Sequence, residues 1–152
     1  MIWGETMTTE EIDYQRVFRT QPSAMALLTP SFVVIDVNEK FLETMARRPR
    51  DKLIGRNIFD VFPAVPREPG TDPRPALTSL RAVLSSGLQD VLELTRYDLP
   101  DSRNPAVLEE HYWTAIFSPV MRDDGSIGML ECRVEDVTHI VIRSRSLQAQ
   151  LG

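Results

Sequence analysis

The stretch Arg133-Val134-Glu135-Asp136-Val137-Thr138 decides how this chain of 152 residues is interpreted. Its first residues continue an apolar, β-branched run, which predicts a last strand over residues 127–136. An acidic and a hydroxyl residue then stand where the free N–H groups of a new helix need acceptors, so Asp136 or Thr138 is expected to cap that helix. A strand that passes directly into a departing helix predicts mechanical coupling, because a movement of the sheet also moves the helix.

The order of the preceding elements predicts the fold class. Alternating apolar and β-branched runs predict strands over residues 25–29, 32–37, 89–97, 109–120 and 127–136. Caps and apolar spacing predict helices over about residues 8–19, 39–47 and 76–86, with short helical turns at 51–55 and 57–62. Strands, short helices, one longer helix and then three antiparallel strands indicate an α+β domain with its helices on one face of an antiparallel sheet.

Composition excludes several classes of protein. A net charge of −5 argues against a general nucleic-acid binder. The single cysteine, Cys132, excludes an intrachain disulfide and a multi-cysteine metal site. The chain has no apolar run of the roughly 20 residues that a membrane helix needs, and its N-terminus lacks a secretory signal. We therefore expect a cytoplasmic protein without direct contact to nucleic acid or membrane.

The helix predicted over residues 76–86 has one apolar face, which is expected to pack on the inner face of the sheet. These facing side chains form either a filled core or a small apolar pocket, and close packing favours a filled or adventitiously occupied one over a dedicated cofactor site. The predicted facing residues are Leu77, Leu80 and Leu84 from the helix and Leu92, Leu94 and Ile116 from the sheet.

No residue pattern predicts catalysis. Glu110 and His111 are neighbours on a strand and point to opposite faces, so Glu109-Glu110-His111 is interpreted as a solvated strand start. Asp123 and Asp124 belong to a hairpin turn, where Asp bonds the backbone. A phosphate-binding glycine loop and a nucleophile signature are both missing. We assign no catalytic residue and no metal ligand, and predict that the domain is not an enzyme.

Two apolar features leave alternatives open. One of Tyr112 and Trp113 is expected to pack inward, and the other to lie on the outer face of the sheet. The outward residue would either anchor a homodimer or be covered by the N-terminal helix.

In the tail, the steps of seven and four residues from Ile140 to Leu147 and Leu151 fit a coiled-coil seam or a short helix packed on its own domain.

Short motifs in a fixed order make the chain resemble the PAS fold over about residues 14–151. They are Asn38-Glu39-Lys40-Phe41; Leu53-Ile54-Gly55-Arg56 with Ile58-Phe59; Arg96-Tyr97-Asp98; His111-Tyr112-Trp113 leading to Ser118-Pro119-Val120; Asp124-Gly125; and Glu135-Asp136-Val137-Thr138. The resemblance implies a five-stranded antiparallel sheet with helices on one face. It also implies a sensory or dimerisation module of a bacterial signalling protein, with a histidine kinase or phosphatase as a candidate output domain.

The resemblance further implies a division of the chain and a route of transmission. Residues 1–20 are expected to be an N-terminal flank and helix, residues 21–138 the PAS domain, and residues 139–152 a signalling helix. Binding of a ligand or partner would be relayed through Asp136, Val137 and Thr138. In this family the acidic residue at the position of Asp136 often pairs with a basic residue, for which Arg56 is the candidate.

The resemblance also bears on cofactors. Flavin photoreceptors of the family carry a reactive cysteine in an Asn-Cys-Arg motif, but Gly55-Arg56-Asn57 has none and Cys132 lies on another strand. Haem members present a histidine from the long helix, whereas residues 76–86 contain none. No cofactor is therefore identified, a flavin photo-adduct and haem are not expected, and a small apolar ligand is allowed. A dedicated small-molecule or haem receptor is the alternative function.

Overall fold

A computed structural model describes residues 11–46, 48–64, 69, 70, 72 and 74–152. Its main sheet is five-stranded and antiparallel, in the order β2-β1-β7-β6-β3. The strands of this sheet are β1 (Ala24–Leu28), β2 (Val34–Val37), β3 (Asp90–Arg96), β6 (Tyr112–Met121) and β7 (Ile127–Asp136). Between β3 and β6, β4 (Leu99–Pro100) and β5 (Leu108–Glu109) form a two-stranded sheet, called here the β4–β5 arm. The predicted α+β class with a five-stranded antiparallel sheet is confirmed.

Five α-helices accompany the sheet in the described part of the chain. They are α1 (Tyr14–Arg19), α2 (Glu39–Phe41), α3 (Ile58–Val61), α4 (Pro75–Ser86) and α5 (Thr138–Leu151). The helix predicted over 39–47 is present as far as Ala46, but its second part differs in type, since α2 passes into a π-helical turn over Leu42–Ala46. The predicted cap at Thr8 lies outside the described residues, and α1 is capped by Asp13, whose carboxylate accepts from the Arg16 N–H at 3.0 Å.

Local caps fix where the short helices begin. Asn38 is fully buried, and its side-chain oxygen accepts from the N–H of Phe41 at 3.0 Å and of Met25 at 2.9 Å. One side chain therefore caps α2 and ties it to β1. Asn57 caps α3 by accepting from the Phe59 N–H at 2.9 Å. Gly87 ends α4 at a φ of 70°, a left-handed conformation that favours glycine.

The core lies between the inner face of the sheet and the helices. Side chains alternate along β6 and β7, so every second residue faces inward. The buried apolar cluster consists of Ala24, Ala26, Leu28, Val34, Val37, Phe41, Leu53, Val61, Leu80, Val83, Ala115, Phe117, Leu130 and Cys132.

A β-bulge in β3 changes which residues face the core. Leu92 pairs with Ala115, but Thr95 pairs with Trp113, so β3 contains one extra residue between these pairs. Leu94 is therefore turned away from α4 and is 55% exposed. Ile116 is also exposed, because alternation directs Ala115 and Phe117 inward. The prediction that Leu94 and Ile116 face the helix is thus wrong.

The exit helix α5 follows β7 directly. The Val137 N–H donates to the Tyr112 carbonyl at 2.8 Å, and the Thr138 hydroxyl accepts from the Tyr112 N–H at 2.9 Å. These two bonds extend the β6–β7 ladder by one step and bind the start of α5 to the start of β6. Within the described residues, none of the helices combines the length and the apolar character needed to cross a bilayer.

Candidate functional site

An apolar cavity of about 140 Å³ lies between the sheet and the helices. An apolar cavity of about this size stays dry and admits one benzene-sized molecule. Ala64 and Arg74 are the exposed members of its described lining. The lining consists of Ala26, Leu28, Phe41, Met45, Ile58, Phe59, Phe62, Ala64, Arg74, Pro75, Ala76, Leu80, Leu92, Thr95, Tyr97, Trp113, Ala115, Phe117, Cys132 and Val134.

Three polar groups of this lining are hydrogen-bonded within the protein. The Tyr97 hydroxyl donates to the Pro63 carbonyl at 2.8 Å, and the Thr95 hydroxyl donates to the Glu93 carbonyl at 2.9 Å. The indole N–H of Trp113 donates to the Tyr97 carbonyl at 2.8 Å. Burial raises the pKa of Tyr97 and that of the Cys132 thiol, so both groups are neutral at physiological pH. Apart from the exposed Arg74, the described lining therefore presents neutral, mostly apolar surface to an occupant.

The predicted pocket residues separate into three groups in the structure. Leu80 and Leu92 line the cavity. Leu77 and Leu84 on α4 are half-buried beside the described lining, and Leu84 packs against the core. Leu94 and Ile116 lie on the outer face of the sheet, as described above.

A polar cluster, called here the junction, adjoins the cavity where α5 begins. It consists of Glu109, His111, Asp136 and Thr138. His111 is 7% exposed, with Nδ1 2.7 Å from Asp136 Oδ2 and Nε2 2.6 Å from Glu109 Oε1. The prediction of a solvated strand start at His111 is wrong, because the ring is buried between carboxylates from two strands.

Asp136 connects this cluster to the exit helix. Its Oδ1 accepts from the Thr138 N–H at 3.0 Å and also from the Thr138 hydroxyl. Burial by itself raises the pKa of Asp136, but the bonds from Thr138 and His111 outweigh burial and hold this pKa below its ordinary value. Asp136 is thus a stable anion that orients the first residue of α5.

The partner of Asp136 differs from the predicted one. Arg56 lies beside the edge strand β2, where its carbonyl accepts from the Val34 N–H at 2.9 Å. β1 separates β2 from β7, which carries Asp136. The candidate pairing of Arg56 with Asp136 is therefore replaced by the pairing of His111 with Asp136.

Trp113 joins the cavity to the junction. One part of its side chain lines the cavity, and its ring stacks on His111 with centroids 5.6 Å apart and an interplanar angle of 29°. The side chains of Trp113, His111, Asp136 and Thr138 thus form a continuous series of contacts from the cavity to the first residue of α5.

Tyr112 lies on the outer face and is covered by the exit helix. The Arg145 guanidinium of α5 is 5.1 Å from the centre of the Tyr112 ring, and it also bonds Glu110 at 3.1 Å. Of Tyr112 and Trp113, it is Trp113 that packs inward, in agreement with the prediction that one of the two does so. Within the chain, Tyr112 is covered by the C-terminal helix and not by the predicted N-terminal helix.

Two signals in the sequence could have located the junction. Glu109 and His111 are two residues apart, a spacing that places both side chains on one face of an extended chain. In the antiparallel β6–β7 hairpin, Trp113 pairs with Asp136, which brings Asp136 close to His111. Among the described residues no cluster of three His, Cys, Asp or Glu has the arrangement of a metal site.

Comparisons with known proteins agree with this architecture. The family model described as the PAS fold matches residues 18–140. The chain belongs to the PAS family. PAS domains are sensory modules, and this chain is a PAS sensory domain. Among curated proteins, no sequence matches it significantly.

Solved PAS structures show the same fold at low sequence identity. A sensory box sensor histidine kinase from Vibrio cholerae is 18% identical, covering 82% of this chain and 89% of that one, with a TM-score of 0.53. A PAS domain from Colwellia psychrerythraea is 12% identical, covering 83% and 95%, with a TM-score of 0.59. VqmA bound to DPO is 15% identical, covering 82% and 56%, with a TM-score of 0.54.

Proposed function

We propose that this PAS domain senses a small neutral ligand in its cavity and relays occupancy to an output domain through α5. The observation that carries the proposal is the position of Trp113, which lines the cavity and stacks on His111. A ligand that shifts the indole would also shift the ring that bonds Asp136, and so would change the orientation of the first turn of α5.

The ligand class follows from the lining. The hydroxyl groups of Thr95 and Tyr97 and the indole N–H of Trp113 already bond the protein. The charged residue of the described lining, Arg74, is exposed, so a charged or strongly polar ligand in the buried part of the cavity would lose its hydration without replacement. A compact apolar or aromatic molecule fits the cavity volume. The neighbour VqmA has DPO bound, which supports ligand binding by this fold.

Haem binding is the less favoured alternative. Both ring nitrogens of His111 face carboxylates, and His139 is exposed on α5, away from the cavity lining. A haem iron needs an axial ligand inside the cavity, a role that neither histidine fits.

We also propose that the domain has no catalytic activity of its own, that it is cytoplasmic, and that a histidine kinase or phosphatase is its output. The sensor kinase neighbour supports the choice of output.

Native mass spectrometry and an absorption spectrum of the purified chain test the ligand proposal. We expect a colourless protein that retains, or takes up, one small apolar molecule. Ala115→Leu adds bulk inside the cavity and should abolish uptake, whereas Ile116→Leu on the opposite face should not. A protein that takes up no member of a broad library of small apolar and aromatic compounds would contradict the proposal, as would a coloured haem adduct.

The relay is tested with variants at the start of α5. In the wild-type chain, ligand uptake should change amide hydrogen exchange in α5. Asp136→Ala or Thr138→Ala should abolish this change while the ligand still binds, because the bonds that orient the helix are lost. The relay would be refuted by a ligand response of α5 that survives both substitutions.

We further propose that the domain forms a homodimer through the outer face of its sheet. Val91 and Ile116 are cross-strand neighbours on this face, 56% and 38% exposed, and Leu94 beside them is 55% exposed. Single exposed apolar residues are ordinary, but a contiguous group marks an interaction surface. Sedimentation should show a dimer that Ile116→Glu dissociates, whereas Val107→Glu, an exposed apolar position outside this face, should not. A wild-type monomer at high concentration would exclude the dimer.

A further inference from the structure

The exposed part of the cavity lining carries positive charge. Arg74, directly before α4, is the charged member of the described lining and is exposed. Ala64 is also exposed, and the carbonyl of its neighbour Pro63 accepts from the Tyr97 hydroxyl at 2.8 Å. These four residues are called here the rim of the cavity. The apolar cavity is thus bordered by a cation that is in contact with water.

A second arginine lies close to the rim. Burial raises the pKa of Tyr97, and the positive charge of the nearby, exposed Arg48 lowers this pKa in part. Among the described residues, the guanidinium groups of Arg48 and Arg74 have no carboxylate partner. By contrast, the guanidinium of Arg145 is paired with Glu110 at 3.1 Å. Both cations near the rim are therefore available to an anion from outside the chain.

We propose that the ligand is a small aromatic carboxylate, whose ring fills the cavity and whose anionic group binds Arg74 at the rim. The cavity of about 140 Å³ admits one benzene-sized ring. Aromatic side chains, which pack well against such a ring, line it: Phe41, Phe59, Phe62, Tyr97, Trp113 and Phe117. This inference rests on the ligand sensing proposed above and adds one group to the ligand. The part inside the cavity stays neutral, and the charge stays outside.

Hydration determines where the carboxylate lies. In the buried part of the cavity it would lose its water without replacement. At Arg74 it keeps contact with water and gains charge-assisted hydrogen bonds, because a guanidinium presents paired N–H donors that match the two carboxylate oxygens. Asp72 bonds Arg74 through the backbone N–H, at 2.8 Å, which leaves the guanidinium of Arg74 available. The rim therefore favours an anionic ring compound over a neutral one of the same shape.

Titration calorimetry with benzoate, benzamide and toluene separates the contribution of the charge from that of the ring. Benzoate and benzamide have nearly the same shape and differ in charge, whereas toluene lacks the polar group. Benzoate should bind the wild-type chain about tenfold more tightly than benzamide. This ratio should shrink as the salt concentration rises from about 0.05 M to about 0.5 M, because the charge of the exposed Arg74 is then screened.

Variants assign the effect to the rim. Arg74→Gln should weaken benzoate binding about tenfold and leave toluene binding unchanged. Arg48→Gln should weaken benzoate binding about threefold, because Arg48 lies outside the described lining and acts through its charge. Arg81→Gln is the matched control, since Arg81 is exposed on α4 and is not part of the lining, and it should bind all three compounds like the wild type. Ala115→Leu fills the cavity and should abolish binding of benzoate and toluene alike.

The carboxylate is overturned by equal affinities for benzoate and benzamide, or by benzoate binding at the wild-type level in Arg74→Gln, verified as folded by circular dichroism. Benzoate binding that survives in Ala115→Leu is a surface contact and also overturns it. Toluene separates this failure from that of the ligand site. If toluene binds and benzoate has no advantage over benzamide, the cavity remains a ligand site and the carboxylate is refuted. If none of the three compounds binds, the carboxylate is refuted, and the broad library described above decides on ligand sensing.

Discussion

The cavity and the junction occupy the same face of the same two strands, yet they are held by different forces. On β7, Cys132 and Val134 line the cavity, and Asp136 stands two residues further on in the junction. Trp113 of β6 lines the cavity, and His111, directly before the start of β6, stands two residues earlier in the junction. Two residues along each strand thus separate an apolar region from a region of charged hydrogen bonds.

This difference suggests how one region can report on the other. Apolar contacts are non-directional, so the cavity tolerates a small shift of Trp113 at little cost. Hydrogen bonds weaken steeply as their geometry departs from the optimum, so the bonds of His111 and Asp136 respond to the same shift. The cavity accommodates a ligand, and the hydrogen bonds of the junction convert the resulting displacement of Trp113 into a changed orientation of the first turn of α5.

The largest effect is expected at the residue that the two regions share. Trp113→Ala removes the cavity wall and the ring that stacks on His111, and should lower the free energy of unfolding by about 3–5 kcal/mol. Chemical denaturation measures this loss. Trp113→Phe keeps most of the apolar contact but loses the bond to the Tyr97 carbonyl, so its cost should be about 1 kcal/mol. Equal losses of unfolding free energy in the two variants would show that the indole hydrogen bond, rather than packing, accounts for most of the stability that Trp113 contributes.

An intermediate effect is expected from a change confined to the junction. Asp136→Ala removes the acceptor of Thr138 and leaves Nδ1 of His111 without its partner, which should cost about 1–3 kcal/mol by chemical denaturation. The matched control is Asp123→Ala in the exposed hairpin turn, which should cost less than about 0.5 kcal/mol. Uptake of an apolar ligand should survive Asp136→Ala, because the cavity is intact. Loss of uptake would mean that the two regions are not separable.

The smallest effect is expected from acid at the junction. The pKa of Asp136 is lowered in the folded chain, so its contribution to stability is present above the ordinary carboxyl pKa and is lost as the pH falls through the lowered value. The difference in unfolding free energy between wild type and Asp136→Asn should therefore shrink as the pH falls from about 5 to about 2. A difference that is constant over this range would contradict the assigned charge.

The sequence predicted the parts of the fold that depend on local chemistry. Asn38 and Asn57 cap the helices that follow them, and the turn before Gly125 joins the last two strands. The strand predicted over 127–136 has the same bounds in the structure. Each of these features depends on residues within a few positions of one another.

The site was less predictable because it depends on register between distant segments. The extra residue of the β3 bulge reverses the face of Leu94, and nothing in the local pattern marks this bulge. His111 is buried because β5 and β7 bring Glu109 and Asp136 to it, across two and 25 positions of the chain. Arg56 was a candidate through the family resemblance, and the strand order places it beyond β1.

The coupling of the two regions is tested most directly by filling the cavity without any ligand. Ala115→Leu places a larger side chain beside Trp113, and Ile116→Leu makes a comparable change on the outer face of the same strand. Amide exchange over α5 is compared in both variants with wild type. Protection in the first turn of α5 should change in Ala115→Leu and stay at the wild-type level in Ile116→Leu. Unchanged protection in a folded Ala115→Leu variant that no longer takes up apolar ligands would contradict this coupling.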